Sequence, residues 1–157
     1  MYNVMLIEIQ RTRVTSKVKE SLLRINGERV CDCAEYAPTA LAEGIYPLLV
    51  HHCRAYQRKM PLIITDDTTV SGWSLALMKR CERCPSQEIV NHNAKLPCYC
   101  PMLKIGNGVH RRTDGSVIIG ERIVTGCLKH PERHFNRLID RLKKAQKRGT
   151  QLLVSVR

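Results

Sequence analysis

The chain has 157 residues, a formal net charge of +12 and an apolar fraction of 43%. That length suits one domain, spanning 1–157, with a real core, and the composition excludes a low-complexity or disordered chain. No apolar run approaches the ~20 residues that span a bilayer, so membrane insertion is not expected.

The charge bears on partners rather than on fold. It is compatible with nucleic acid, an anionic membrane or an anionic cell-wall polymer, and also with a basic surface that is simply solvated. Five Tyr, one Trp and one Phe are too few for an obvious base-stacking platform. The opening "MYNVMLIEIQRTR" has a short apolar run, with no basic region before it and no small-residue cleavage site after it. No signal peptide is therefore expected, and the protein is expected in the cytoplasm at synthesis. Eight cysteines without a secretory signal favour metal or reduced thiols over disulfides.

In chain order, residues 4–10 read as a strand. In "KVKESLLRINGERVCDCAEY", Asn26 and Gly27 supply the two positive-φ positions of a type I′ turn between apolar runs. This predicts a β-hairpin over about 18–34, with Val30, Asp32 and Ala34 on one face and Cys31 and Cys33 on the other. Residues 45–53 and 60–65 read as further strands, with Pro47 near the start of the first, where a missing donor is tolerable. "WSLALMKR" suggests one or two helical turns. Residues 79–101 form a cysteine-rich excursion with little apolar periodicity. "GSVIIGERIVTGC" suggests two short strands, 116–119 and 122–125, with a tight connection at Gly120-Glu121.

"HPERHFNRLIDRLKKAQKRG" predicts a helix. Pro131 suits the first helical position, Glu132 the first turn, and Gly149 the position just past the end. Phe135, Leu138, Ile139, Leu142 and Ala145 make one apolar stripe. "TQLLVSVR" returns as a strand. The expected fold is α+β and β-rich: a compact antiparallel sheet or barrel-like core, one main C-terminal helix and a cysteine-rich loop.

The excursion carries Cys81-x-x-Cys84 and, after thirteen intervening residues, Cys98-x-Cys100. Four thiolates on two arms of a coreless loop suit a structural zinc site, with His92 as a substitute ligand for one arm; reduced thiols or disulfides are the alternatives. Such a closed site leaves no open position for catalysis. Cys31, Cys33 and Cys53 read as small core hydrophobes. For anion binding, the candidates are Arg111 and Arg112, and Lys143, Lys144 and Lys147 on the helix, where favourable interaction with the helix dipole is the competing explanation.

Several segments resemble an uncharacterised family of small phage- and prophage-type proteins, distantly similar to the L,D-transpeptidases of the cell wall. "CDCAEY" resembles the family's segment ending in Thr-Leu-Glu, with Glu35 at the Glu. "ALAEGIYPLLV" resembles its Ile-Pro-Ala-Gly-x-Tyr strand. "LKIGNG" and "TDGSVIIGE" resemble its Ile-His-x-Gly-Asn and Thr-x-Gly-Cys-Ile-x-x-Gly motifs. In this register the family's His falls on Lys104 and its Cys on Ser116. The resemblance thus implies either a Ser/Lys pair or loss of the transpeptidase chemistry, with Gly106, Asn107 and Gly115 kept as turn residues.

A second register places His110 seventeen positions before Cys127, in "VTGCLK". It is similar to the L,D-transpeptidase arrangement of a His upstream of Ser-His/Asn-Gly-Cys-x-Arg/Asn, with Val124 and Thr125 replacing the first two motif residues. It implies Cys127 as thiolate nucleophile, His110 as base, backbone N–H groups beside Cys127 as an oxyanion hole, and Lys129 lowering the thiol pKa. The competing reading makes Cys127 an inert strand-end residue and His110 a loop residue.

Three functions are therefore expected in competition. One is a cell-wall-associated L,D-transpeptidase-like protein, active or only binding. Another is a zinc-stapled basic module that binds nucleic acid. The third is a structural or interaction protein of a phage or mobile element.

Overall fold

The computed structural model describes residues 3–53, 56–64, 101–106, 115–124 and 126–157. These form strands β1 (Val4–Val14), β2 (Val18–Ile25), β3 (Glu28–Tyr36), β4 (Gly44–Cys53), β5 (Arg58–Ile63), β6 (Leu103–Ile105), β7 (Val117–Val124), β8 (Cys127–Lys129) and β9 (Gln151–Val156), and helix α1 (Pro131–Lys147). A short 3-10 turn, Ala37–Thr39, follows β3. The stretches "WSLALMKR" and 79–100, with their expected helical turns and cysteine loop, lie outside the described residues.

The strands are ordered β5-β4-β9-β1-β2-β3-β7-β6, and β8 pairs with β7 outside that path. The sheet curls into a half-barrel. Its end strands meet at a bridge between Leu62 and Met102, next to a hydrogen bond from Ile63 N–H to Pro101 O at 2.9 Å. The α+β, β-rich expectation holds. Most pairings are antiparallel, but β1–β9 and β6–β7 are parallel, because their partners are joined by long connections rather than hairpins.

Alternation explains the inner face. Ile7 and Ile9 of β1, Leu23 and Ile25 of β2, Cys31 and Cys33 of β3, and Leu152, Val154 and Val156 of β9 all enter one core cluster. The expected hairpin turn is present, with φ 49° at Asn26 and 89° at Gly27. The register slips between Leu23 and Arg24, opposite Cys31 and Arg29, so Val30 is the extra residue of a bulge. Val30 consequently packs against the core with Cys31 instead of sharing a face with Ala34. Ala34 lies on the outer face, in a second cluster with Val18, Ile118 and Leu128.

The two strands expected on either side of Gly120-Glu121 are one strand, β7. Gly120 pairs with Asp32 and sits mid-strand. A Cβ there would lie 2.9 Å from Lys129 O and 3.0 Å from the Leu128 Cβ, so this glycine admits the close return of β8. The chain turns later, at Gly126, where φ is 78°.

The helix lays Phe135, Leu138, Ile139, Leu142 and Ala145 into the main core. Burying each of the four larger side chains is worth roughly 1.5–3 kcal/mol. The C-terminal end is a Schellman motif: Gly149, at φ 83°, and Thr150 donate to the carbonyls of Gln146 and Ala145. At the other end His130 is left-handed, with φ 52°, and supplies no side-chain cap. Gln146 reaches from α1 to the edge of β4. Its amide accepts from Val50 N–H and donates to Val50 O, both at 2.9 Å. The ladder between β4 and β9 ends at Leu48, so Gln146 replaces a strand neighbour there.

Candidate functional site

The parallel pairing of β6 with β7 sets Leu103 opposite Val117 and Lys104 opposite Ile118. Ser116 precedes β7 and so comes beside Met102. Its hydroxyl accepts the Met102 N–H at 3.2 Å, next to a bond from Val117 N–H to Met102 O at 3.0 Å. The fold thus puts the two positions of the first register on neighbouring strands. Both side chains are buried, Ser116 to 1% exposure and Lys104 to 5%. The Lys104 ammonium lies 5.4 Å from the centroid of the Tyr56 ring, within cation–π range. Gly115 holds the preceding turn at φ 75°, as its expected turn role requires. Asn107 lies outside the described residues.

An open cleft of about 490 Å³ lies between the end of β6 and the start of α1, lined by Ile105, Gly106, His130, Pro131, Glu132 and Arg133. On β7, Glu121 accepts a hydrogen bond from His134 Nε2 at 3.1 Å and pairs with Lys129 Nζ at 3.9 Å. The His134 hydrogen bond, helped by the charges of His134, His130 and Lys129, holds the Glu121 carboxyl below its ordinary value.

The second register is only partly described. Cys127 starts β8 and is half-buried, whereas His110 lies outside the described residues. The amide beside Cys127 is engaged: Gly126 N–H donates to Glu20 Oε2 at 3.3 Å. Glu20 is 3% exposed, with its other oxygen 3.7 Å from Arg122 Nη1. A carboxylate on that N–H competes with an oxyanion for the same donor. Lys129, at the end of β8, pairs with Glu121 of β7 at 3.9 Å.

Cys31 and Cys33 are buried. Burial first, then the hydrogen bond and charge of Cys31, push the Cys33 thiol well above its ordinary pKa, which favours the neutral thiol over the thiolate. Cys81, Cys84, Cys98, Cys100 and His92, the expected zinc ligands, lie outside the described residues, as do Arg111 and Arg112. Among the described residues, no His, Cys, Asp and Glu side chains group to hold a metal. No described helix is long and apolar enough to cross a membrane.

On the helix, Lys144 and Lys147 are exposed, while Lys143 is half-buried. Four further cations were missed by the sequence reading as a set: Arg133, Arg137, Arg141 and Arg148 are all exposed and, with Lys144, follow a spacing of three or four residues. That i, i+4 spacing was the available signal. Also missed was the inward Arg11, which continues the alternation of Ile7 and Ile9 and meets Glu35. Comparison with protein-family models, curated proteins and solved structures finds no match to this chain.

Proposed function

We propose that this protein is a cell-wall-associated binding scaffold of L,D-transpeptidase-like descent, without transpeptidase chemistry. The observation that carries the reading is Ser116. The resemblance puts the family's nucleophilic Cys at this position. The serine there is 1% exposed, and its oxygen accepts a backbone N–H that joins β6 to β7. A nucleophile must reach its substrate and be activated by a base. A hydroxyl sealed in the sheet serves the fold instead. Lys104, at the family's His position, is likewise buried and stacked on Tyr56. The engaged Gly126 amide weighs against Cys127 as a substitute site.

The excess of 26 Lys and Arg over 14 Asp and Glu suits an anionic wall polymer as the ligand. The reading includes a zinc staple on Cys81, Cys84, Cys98 and Cys100, carried by their spacing alone. Its test has two arms. Sedimentation with purified cell-wall sacculi is expected to carry the protein down. Incubation with a stem tetrapeptide donor, followed by intact mass measurement, is expected to leave the mass unchanged. An acyl adduct on Cys127 or Ser116 would reject the non-catalytic reading, and failure to sediment would reject the wall association.

A further inference from the structure

On or beside the strands, five basic side chains have acidic partners, whereas Lys17 and Lys59 are exposed with no ion pair among the described residues. Arg11 pairs with Glu35, Arg29 with Asp32, Arg122 with Glu20, Lys129 with Glu121 and Arg157 with Glu8. The outer face of α1 differs. Arg133, Arg137, Arg141, Lys144 and Arg148 are exposed, and none of the five has an ion pair among the described residues. At 100° and 1.5 Å per residue they fall within an arc of about 80° along ~22 Å of helix, with successive cations about 4.5–6 Å apart along the axis. The apolar stripe of Phe135, Leu138, Ile139 and Leu142 holds the other side of the helix in the core, so the row faces outward as a fixed ridge.

Dipole complementation accounts for only part of this row. Lys144 and Arg148 stand near the C-terminal end, where cations are favoured. Arg133 stands in the first turn, where the dipole opposes a cation, and it still faces solvent without a carboxylate partner. Four of the five are arginines, whose planar forks bind phosphate oxygens in pairs. Asp140, exposed three residues after Arg137 and four before Lys144, is the acid on this face and forms no ion pair with the row, which keeps five cations against that one carboxylate. Regularly spaced guanidinium groups in such excess match a chain of regularly repeated phosphates better than scattered carboxylates. The five offer a polymer backbone charge and paired hydrogen bonds rather than an aromatic platform.

We infer that the outer ridge of α1 binds a polyphosphodiester chain of the cell wall, along Arg133, Arg137, Arg141, Lys144 and Arg148. This rests on the wall-binding reading above and names its surface and ligand class. The polymer lies along the ridge with one phosphate near each guanidinium, and affinity falls with salt as counterions are released.

The test uses the full chain and linear poly(glycerol phosphate) as the probe. Two double variants of equal net charge are compared: Arg137→Gln with Arg141→Gln on the ridge, and Lys17→Gln with Lys59→Gln on exposed strand and turn positions outside α1. All four sites are exposed, so both variants are expected to melt with the wild type. The ridge variant is expected to bind at least about ten-fold more weakly, with a log–log salt slope shallower by about 1.4, at ~0.7 per lost phosphate contact. The control is expected to bind as the wild type. Equal loss in both variants would overturn the ridge in favour of net charge. Wild-type sedimentation with walls stripped of phosphate polymer, as strong as with intact walls, would overturn the ligand class and leave wall binding standing. No sedimentation with either wall would overturn both. Tighter binding to a DNA duplex than to poly(glycerol phosphate), at equal phosphate concentration and salt, would reassign the ridge to nucleic acid.

Discussion

Arg11 and Glu35 form a bidentate ion pair across the sheet. The guanidinium Nε and Nη2 donate to the two carboxylate oxygens at 3.1 and 3.0 Å, and Nη2 also donates to Leu41 O at 2.6 Å. Both side chains are buried, Arg11 at 8% exposure and Glu35 at 0%. β2 lies between their strands, so the pair ties β1 to β3 without a shared ladder. Breaking one partner leaves the other charge buried. Glu35→Leu alone is expected to lower stability by about 3–5 kcal/mol. A joint replacement, Arg11→Met with Glu35→Leu, is expected to recover most of that loss. Urea unfolding of the four species of this cycle checks it, and additive losses would refute the coupling.

Gln146 makes a second long-range tie, to both backbone groups of Val50. Gln146→Ala leaves that N–H and carbonyl without protein partners, at a cost of about 1–3 kcal/mol. The local signature is faster hydrogen exchange at the Val50 amide, with the β1 and β2 amides changed only through global stability. An unchanged Val50 amide would dismiss the tie.

Glu121 gives a pH dependence with a definite sign. His134, by its hydrogen bond, and the charges around it hold this carboxyl below its ordinary value of 4.5. A depressed folded-state pKa means stability that is present above 4.5 and lost as pH falls through the lower folded value. The wild type is therefore expected to melt higher than Glu121→Gln above about pH 5, with the gap closing below ~4.5. A gap that persists into strong acid would assign the effect to packing instead.

The cysteines are expected to separate by reactivity. Alkylation at pH 8, mapped by peptide mass, should mark half-buried Cys127 while the chain is folded, and spare buried, proton-holding Cys33 until it unfolds. The zinc staple adds that Cys81, Cys84, Cys98 and Cys100 resist labelling until a chelator is present. Metal analysis should then find about one zinc per chain, falling on Cys84→Ser. Metal-free protein with those four thiols freely labelled would exclude the staple.

Local chemistry made much of the fold legible in the chain. The Asn26-Gly27 turn, the period-two strands and the α1 stripe with its Gly149 end all depend on residues within a few positions of one another, so the sequence alone determined them. Gly120 was misread for the opposite reason. In the chain it resembles a turn, yet its need is for space beneath β8, a neighbour that only folding brings there. The parallel β6–β7 pairing is equally non-local. It decided that Ser116, just before β7, and Lys104, in β6, come to neighbouring segments of the sheet and are buried. Composition set the excess of positive charge, but tertiary structure decided where it goes uncompensated. Folding carries carboxylates such as Glu35, Glu20 and Glu8 to distant arginines by strand pairing, and leaves the outward row on α1, with Asp140 as the acid on its face, without an ion pair among the described residues.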